Sequence, residues 1–355
     1  MNSVHRALGA KMVDFGGWDM PVQYSGILEE HHAVRQRVGL FDVSHMGEVE
    51  IRGPQAFDLV NFVATSAVSK MAQGQAQYAG LLYEHGGFVD DILVYKVSDT
   101  HYFLCVNASN QQKDFEHIRD HNRFEAGVEF ASARYAQLAV QGPKAAATVQ
   151  KLTKIDLGTI RYYRFADGEV DRAPARIART GYTGEDCFEL FIAPVEAERL
   201  WNRVLDAGEE FGIKPCGLGA RNTLRLEAGM ALYGHEISAS ITPAEAGLQR
   251  NCDMTKKFLG KQRCEQQLRE GVRRRLAGFE MAGRGIARDG YEVSIDGVPA
   301  GWVTSGSPSP TLNKNIGLCY LPTSHCELGS TIQVQIRGQL VDAVTVATPF
   351  YKRAK

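Results

Sequence analysis

One short join occurs twice in this chain. Val49-Glu50-Ile51-Arg52-Gly53-Pro54-Gln55-Ala56 and Leu138-Ala139-Val140-Gln141-Gly142-Pro143-Lys144-Ala145 each read as a strand, a Gly-Pro break and the opening of a helix. Proline fits there because the first helical N–H groups lack partners in any case. Two matching strand–helix units predict two related lobes. Between them lie a hairpin over residues 78–97, a strand over 102–106 and a helix from about Ser109. Antiparallel strands followed by helices argue for an α+β fold rather than a doubly wound parallel sheet.

Ser25 is placed to cap a helix running to about Val38, with Gly39 as its stop, and Ser109 and Gln112 have capping-box spacing. Strands are expected near residues 175–179 and through 188–192, and helices from about Val195 to Phe211 and from Gly217 to about Gly229. From Met254 to Arg288 ten Lys/Arg, Arg284 among them, mark an interdomain helix and linker with interspersed Glu265, Glu270 and Glu280. This run reads as a solvated face, with docking of an acidic partner as the alternative. Beyond it, strands around a hairpin turn at Asp296-Gly297 predict an all-β barrel or jelly roll.

Hydrophobic residues make up 44 % of the 355-residue chain and charged residues 23 %, with a formal net charge of −1. That balance describes a globular protein without the field that recruits nucleic acid or anionic membranes. Nothing approaches the roughly 18 consecutive apolar residues of a spanning helix. Residues 1–10 carry no apolar stretch of a targeting peptide, so a cytoplasmic setting is expected. Seven cysteines without Cys-x-x-Cys or zinc spacing point to reduced thiols and no structural metal.

The sharpest candidate for chemistry is the strand after His85-Gly86-Gly87. Alternation puts Asp91 with Val89, Leu93, Tyr95 and Val97, and Asp90 with Phe88, Ile92, Val94 and Lys96. Neighbours on a strand face opposite ways, so the two acids cannot share a proton. Both faces are apolar, and a buried carboxylate is costly unless something partners it. Glu189 lies inside a strand and is expected to be buried and paired, whereas Glu185 and Asp186, after a turn, are expected to be solvated. Gly217-x-Gly219-x-Arg221 lacks the third glycine of a dinucleotide loop, leaving a plain helix entry or an Arg221 aimed with the helix N-terminus at an anion. Ser44 and His45 beside Asp42 do not make a triad, because adjacency does not give convergent geometry.

Collinear segments then carry a resemblance. They include residues 8–21, Phe41-Asp-Val-Ser-His-Met-Gly47, Gly86-Gly-Phe-Val-Asp-Asp91, Arg179-Thr-Gly-Tyr-Thr-Gly-Glu-Asp186, Gly217-Leu-Gly-Ala-Arg221, Leu224-Arg-Leu-Glu-Ala-Gly-Met230, Tyr233-Gly-His-Glu236 and Pro349-Phe-Tyr351. Together they resemble the aminomethyltransferase family, the T-proteins of the glycine cleavage system. The resemblance implies a three-lobed clover-leaf: a discontinuous first lobe (1–47 and 132–240), a second lobe (48–131), and a linker with a C-terminal β-barrel (241–355). It implies transfer of a one-carbon unit from the aminomethyl-dihydrolipoyl arm of H-protein to tetrahydrofolate, releasing ammonia. H-protein would be the direct partner, with the P- and L-proteins completing the system.

By resemblance, Asp91 is the catalytic carboxylate near the folate nitrogen, and Glu189 binds pterin N–H groups. Met46, Tyr78, Tyr95 and Tyr182 would line the folate cavity, with Asn107 and Tyr162 as looser members and Arg221 and Tyr351 as further contacts. No metal is implied. Cys187, Asn222 and the acid-free Ile237–Ile241 segment depart from the family pattern. Runner-up readings are a folate-dependent demethylase of the same fold and a non-catalytic folate-binding protein.

Overall fold

The computed structural model describes residues 1–283 and 285–353. Arg284, one of the ten basic residues of the expected linker, lies outside the described residues.

Two antiparallel sheets and a closed barrel divide the chain. The first sheet orders Phe165–Val170, Ala173–Ala178, Cys187–Ile192, Ala136–Gln141, Gly39–Asp42 and the short Lys214–Pro215, which alone pairs in parallel. The second orders Gln75–Leu82, Phe88–Ser98, His101–Val106, Gly47–Arg52 and Gly127–Phe130. The two Gly-Pro joins occupy matching places. Gly53 and Gly142 have φ of 136° and 130°, and each follows a sheet strand and precedes a helix, Ala56–Val63 or Ala145–Gln150. A Cβ at either glycine would come within 2.6 Å of a backbone carbonyl oxygen, so no other residue fits without rearrangement.

Each lobe has its own core, one around Leu138, Leu190 and Trp201 and the other around Val49, Leu59 and Leu104. The sheets meet through aromatics: the Tyr95 ring centroid lies 5.5 Å from Phe103 and 5.6 Å from both Phe165 and Phe191. Edge-to-face contacts of this kind add to the burial of large rings.

The C-terminal barrel closes in the order Arg274–Met281, Lys314–Pro322, Val298–Ser309, Glu292–Ile295, Thr331–Ile336, Gln339–Val346. Asp296 and Gly297 both have positive φ, 51° and 75°, as the expected two-residue hairpin requires. A buried hub joins barrel to first lobe. Arg35 contacts Glu185 at 2.9 Å and Glu227 at 2.8 Å, and Glu227 accepts from Ser309 and Thr311 of the barrel.

Three local expectations change. The helix expected from Ser25 to Val38 runs Ile27–Gln36; Glu30 reaches back to the Tyr24 and Gly26 N–H groups, supplying the cap assigned to Ser25, and Gly39 is already in the sheet. The Ser109–Gln112 capping box is not formed. A 3-10 turn over Ala108–Asn110 absorbs Ser109, and the helix proper is Gln111–Asp120. The segment 254–288 is not one linker: it holds the helix Lys261–Glu270, then the first barrel strand from Arg274. Ala277, Phe279 and Met281 alternate into the barrel core, which overrides the basic character of the strand's start.

The stretch 237–260 packs on the second lobe. Gly87 approaches so closely that a Cβ would sit 1.8 Å from the Ala239 oxygen, and the Phe88 N–H donates to Ser238 O and Ile241 O. Lys256 donates to the Asn61 and Ala64 carbonyls, and burial lowers its pKa to about 8. The basic run is therefore partly structural rather than a uniformly solvated face. No helix among the described residues is long and apolar enough to cross a membrane.

Candidate functional site

All three parts of the fold contribute to a central cavity of about 1330 Å³. That exceeds the space a drug-sized ligand needs, and its walls mix apolar and polar side chains. Asp91 opens onto it from the central strand Phe88–Ser98, while Asp90, on the opposite strand face, is fully buried and does not line it. Alternation alone separates the two acids, as the sequence predicts.

Asp91 is held from two directions. Tyr78 Oη donates to its Oδ2 at 3.1 Å, and Asn107 Nδ2 to its Oδ1 at 2.8 Å. Tyr78 reaches it because Gly80, on the neighbouring strand, pairs with Asp91 and Tyr78 lies two residues before on the same face. Loss of water, and then the charge of Asp90, raise the Asp91 pKa to about 7; the Tyr78 and Asn107 hydrogen bonds oppose the rise. The carboxylate is thus ionised above neutrality and basic for an aspartate. Burial and the Asp91 charge keep Tyr78 protonated, so its hydroxyl remains a donor.

The facing wall belongs to the first lobe. Glu189, from the strand Cys187–Ile192, accepts from Gln137 Nε2 at 2.9 Å and from Thr180 Oγ1. Burial raises its pKa, against those two bonds and the nearby Arg221 charge. Arg221 projects from the first turn of the helix Leu218–Glu227, its guanidinium carbon 4.6 Å from the Tyr182 ring centroid. Its Nη1 is buried without a partner.

Of the ten predicted site residues, Asp91, Met46, Tyr78, Asn107, Tyr182, Glu189 and Arg221 line this one cavity. Three do not. Tyr95 is fully buried in the aromatic joint between the lobes, its hydroxyl 3.2 Å from Thr180 Oγ1, which in turn donates to Glu189. Tyr162 is 52 % exposed, and its neighbour Tyr163, with φ of 60°, lines the cavity instead. Tyr351 stacks on Arg35, 4.0 Å from the guanidinium carbon to the ring centroid, within the hub that joins barrel and first lobe.

His45 is the residue that sequence reasoning passed over. Dismissed as a triad member, it lines the cavity, and desolvation, with the Arg221 charge, lowers its pKa to about 4. It is neutral at physiological pH, and its Nδ1 is buried without a partner. Ser66 Oγ and Gln77 Oε1, also on the wall, are equally unpartnered. Buried polar atoms are nearly always satisfied, so four such atoms around one cavity mark a site shaped for a polar ligand.

The departures from the family pattern are absorbed locally. Cys187 Sγ fills the space beside Gly181, and Asn222 Oδ1 accepts from Arg225 Nε at 2.9 Å, steadying the buried Arg225–Glu236 pair. Among the described residues no cluster of His, Cys, Asp or Glu could hold a metal ion.

Comparison with known proteins gives one answer along the whole chain. Residues 1–256 match the family model "GCVT N-terminal domain" and residues 274–352 the "Glycine cleavage T-protein C-terminal barrel domain". An aminomethyltransferase of Acidobacterium capsulatum is 55 % identical over 362 aligned positions, covering 100 % of this chain and 96 % of that protein. One from Desulfitobacterium hafniense is 49 % identical, covering 98 % and 96 %. The crystal structure of glycine cleavage system aminomethyltransferase T from Bartonella henselae superposes with a TM-score of 0.93 at 30 % identity, over 99 % of this chain and 96 % of that one. The chain belongs to the aminomethyltransferase family, the T-proteins of glycine cleavage.

Proposed function

We propose that the cavity takes tetrahydrofolate as co-substrate and that an H-protein delivers the aminomethyl group into it on a dihydrolipoyl arm. The observation that carries this reading is the pairing of two unlike walls. One presents a single basic carboxylate, Asp91, and the other presents Glu189, fixed by Gln137 and Thr180, beside Arg221 and His45, which each have a nitrogen without a partner. A reduced pterin offers adjacent N–H groups and a carbonyl, and a carboxylate fixed by Gln137 and Thr180 suits the first as Arg221 suits the second.

In the reaction the carbon–sulfur bond of the aminomethyl adduct breaks, the sulfur leaves as thiolate, and the carbon becomes iminium-like. A folate nitrogen attacks that carbon. Ammonia then departs as the second folate nitrogen closes the methylene bridge, with no change of oxidation state. Asp91 is ionised at the pH where amines react, and it stabilises the positive charge as it develops. Tyr78 and Asn107 hold that carboxylate in one orientation, so little reorganisation is needed at the moment of transfer. Met46 and Tyr182 supply flat and flexible apolar wall for the ring system. Tyr95 supports Glu189 from behind, through Thr180.

The test is ammonia release from aminomethylated H-protein with tetrahydrofolate present. Release that requires both substrates supports the transferase. A folded, folate-binding sample that releases none, but oxidatively or directly demethylates dimethylglycine or a sulfonium donor, makes it a demethylase. Binding with no turnover on any donor makes it a folate carrier.

A further inference from the structure

Behind Asp91, on the side of the strand away from the cavity, lies a second carboxyl pair. Asp90 accepts the Asn107 N–H at 3.0 Å, Asn107 Nδ2 at 2.9 Å and Asn110 Nδ2 at 2.7 Å. Asp114, fully buried on the helix Gln111–Asp120, comes within hydrogen-bonding reach of Asp90, and no N–H or O–H group of another described residue donates to either of its carboxyl oxygens. Asn107 ends the extended segment before the 3-10 turn Ala108–Asn110, and Asp114 lies in the first turn of the helix that follows, so the entry to this helix brings all three toward Asp90. Among the described residues no cation pairs with either acid: Lys113, whose charge acts on Asp114, is held by the Tyr233 hydroxyl at 2.9 Å. Two buried carboxyls in contact cannot both be ionised, and the one without donors must carry the proton and give it to the other.

We propose that Asp114 is a positioning residue for one-carbon transfer: its proton bonds to Asp90, and Asp90, through Asn107, aims the Asp91 carboxylate into the cavity. Asn107 is the connecting piece, since its Nδ2 group serves Asp90 Oδ1, Asp91 Oδ1 and, at 3.1 Å, Asp91 O. Asp90 then holds Asn107 in place, and its charge raises the proton affinity of Asp91. Desolvation and the neighbouring Asp90 charge push Asp114 up to about 11, consistent with a proton kept throughout the physiological range. The ionisable groups around the three acids include Lys113, Tyr233, Tyr78, Tyr182 and Cys105, and the three tyrosines and the thiol have raised pKa values and stay neutral.

This rests on the transferase reading, and the experiment separates the two. Wild type, D114N and D114L are compared for ammonia release with aminomethylated H-protein and tetrahydrofolate from pH 5.5 to 9. The asparagine amide can donate to Asp90 as the acid did, so D114N is expected to keep kcat within about threefold and the acid limb in place. In D114L the donor is gone, and Asp90 no longer fixes Asn107. There kcat should fall roughly tenfold or more with little change in folate KM, and the acid limb should move to higher pH, because the Asn107 bond that opposes the rise at Asp91 is loosened. Infrared spectra at pH 9 give a readout apart from activity, because a protonated-carboxyl band present in wild type should weaken in D114N. If D114L does not fold, the D114N profile and band decide alone. A wild-type rate and limb in D114L, a D114N as impaired as D114L, or an unchanged band overturns the role of Asp114. An inactive wild type whose carboxyl band still weakens in D114N overturns the transferase reading instead.

Discussion

Asp91 and Glu189 face one cavity from two lobes of similar construction, yet their surroundings make them different groups. Each sits on an inner sheet strand, and burial raises the proton affinity of each. Glu189 has a cation beside it in Arg221, and two neutral donors fill its oxygens. Asp91 has instead a like charge behind it in Asp90, with a phenol and an amide as its donors. Desolvation is common to both, so the sign of the neighbouring charge decides. The acid beside a cation is suited to recognising N–H groups, and the acid beside an anion becomes a base near neutrality. One dry cavity therefore holds two carboxylates with separate tasks.

The contrast can be broken by substitution. The largest effect is expected from Asp91→Asn, which keeps size but loses the charge and one of the two acceptor oxygens: kcat should fall by about 10²–10⁴-fold, with tetrahydrofolate affinity within a few-fold of wild type. Calorimetric titration beside steady-state ammonia release separates the two quantities. Glu189→Gln should do the reverse. The affinity for tetrahydrofolate should weaken by roughly ten- to a hundredfold, as a charge-assisted pair is lost, while kcat at saturation changes little. If both substitutions lower kcat alone, the division of labour between the walls is wrong. Thr180→Val removes one donor from Glu189 and should weaken folate binding by about three- to tenfold. Smallest is Tyr95→Phe: its hydroxyl is one step further back, and an affinity change beyond about threefold would mean that Tyr95 reaches ligand directly.

Much of this arrangement could be read in the chain. Alternation around residues 85–97 separated Asp90 from Asp91, the two Gly-Pro joins marked two lobes, and Asp296-Gly297 marked the barrel hairpin. Such features depend on backbone geometry within a few residues, which the residue types constrain strongly. The resemblance selected Asp91 and Glu189, and the cavity brings them together with five of the other eight expected residues. What escaped was set by contacts distant in sequence. His45 matters because the Asp42 carboxylate is already engaged by His5 at 2.9 Å, leaving the imidazole to the cavity. Tyr95 alternates toward the same face as Asp91, but the first lobe's Phe165 and Phe191 cover it. Tyr351 was assigned by motif, and the Arg35 hub claims its ring. The spacing of Asn107, Asn110 and Asp114 was visible, but nothing local says that they converge on Asp90.

The central claim is that the working group of the cavity is the Asp91 carboxylate in its ionised form. Its pKa is raised, so the active form is lost by protonation as pH falls through about 7 and is complete above it. Single-turnover ammonia release at saturating tetrahydrofolate, followed against pH for wild type and Asp91→Asn, tests this most directly. The predicted wild-type rate is level above neutrality and falls about tenfold per pH unit below it, and the predicted variant rate is low and lacks that limb. A variant that keeps the wild-type rate, or the same acid limb, would contradict the account.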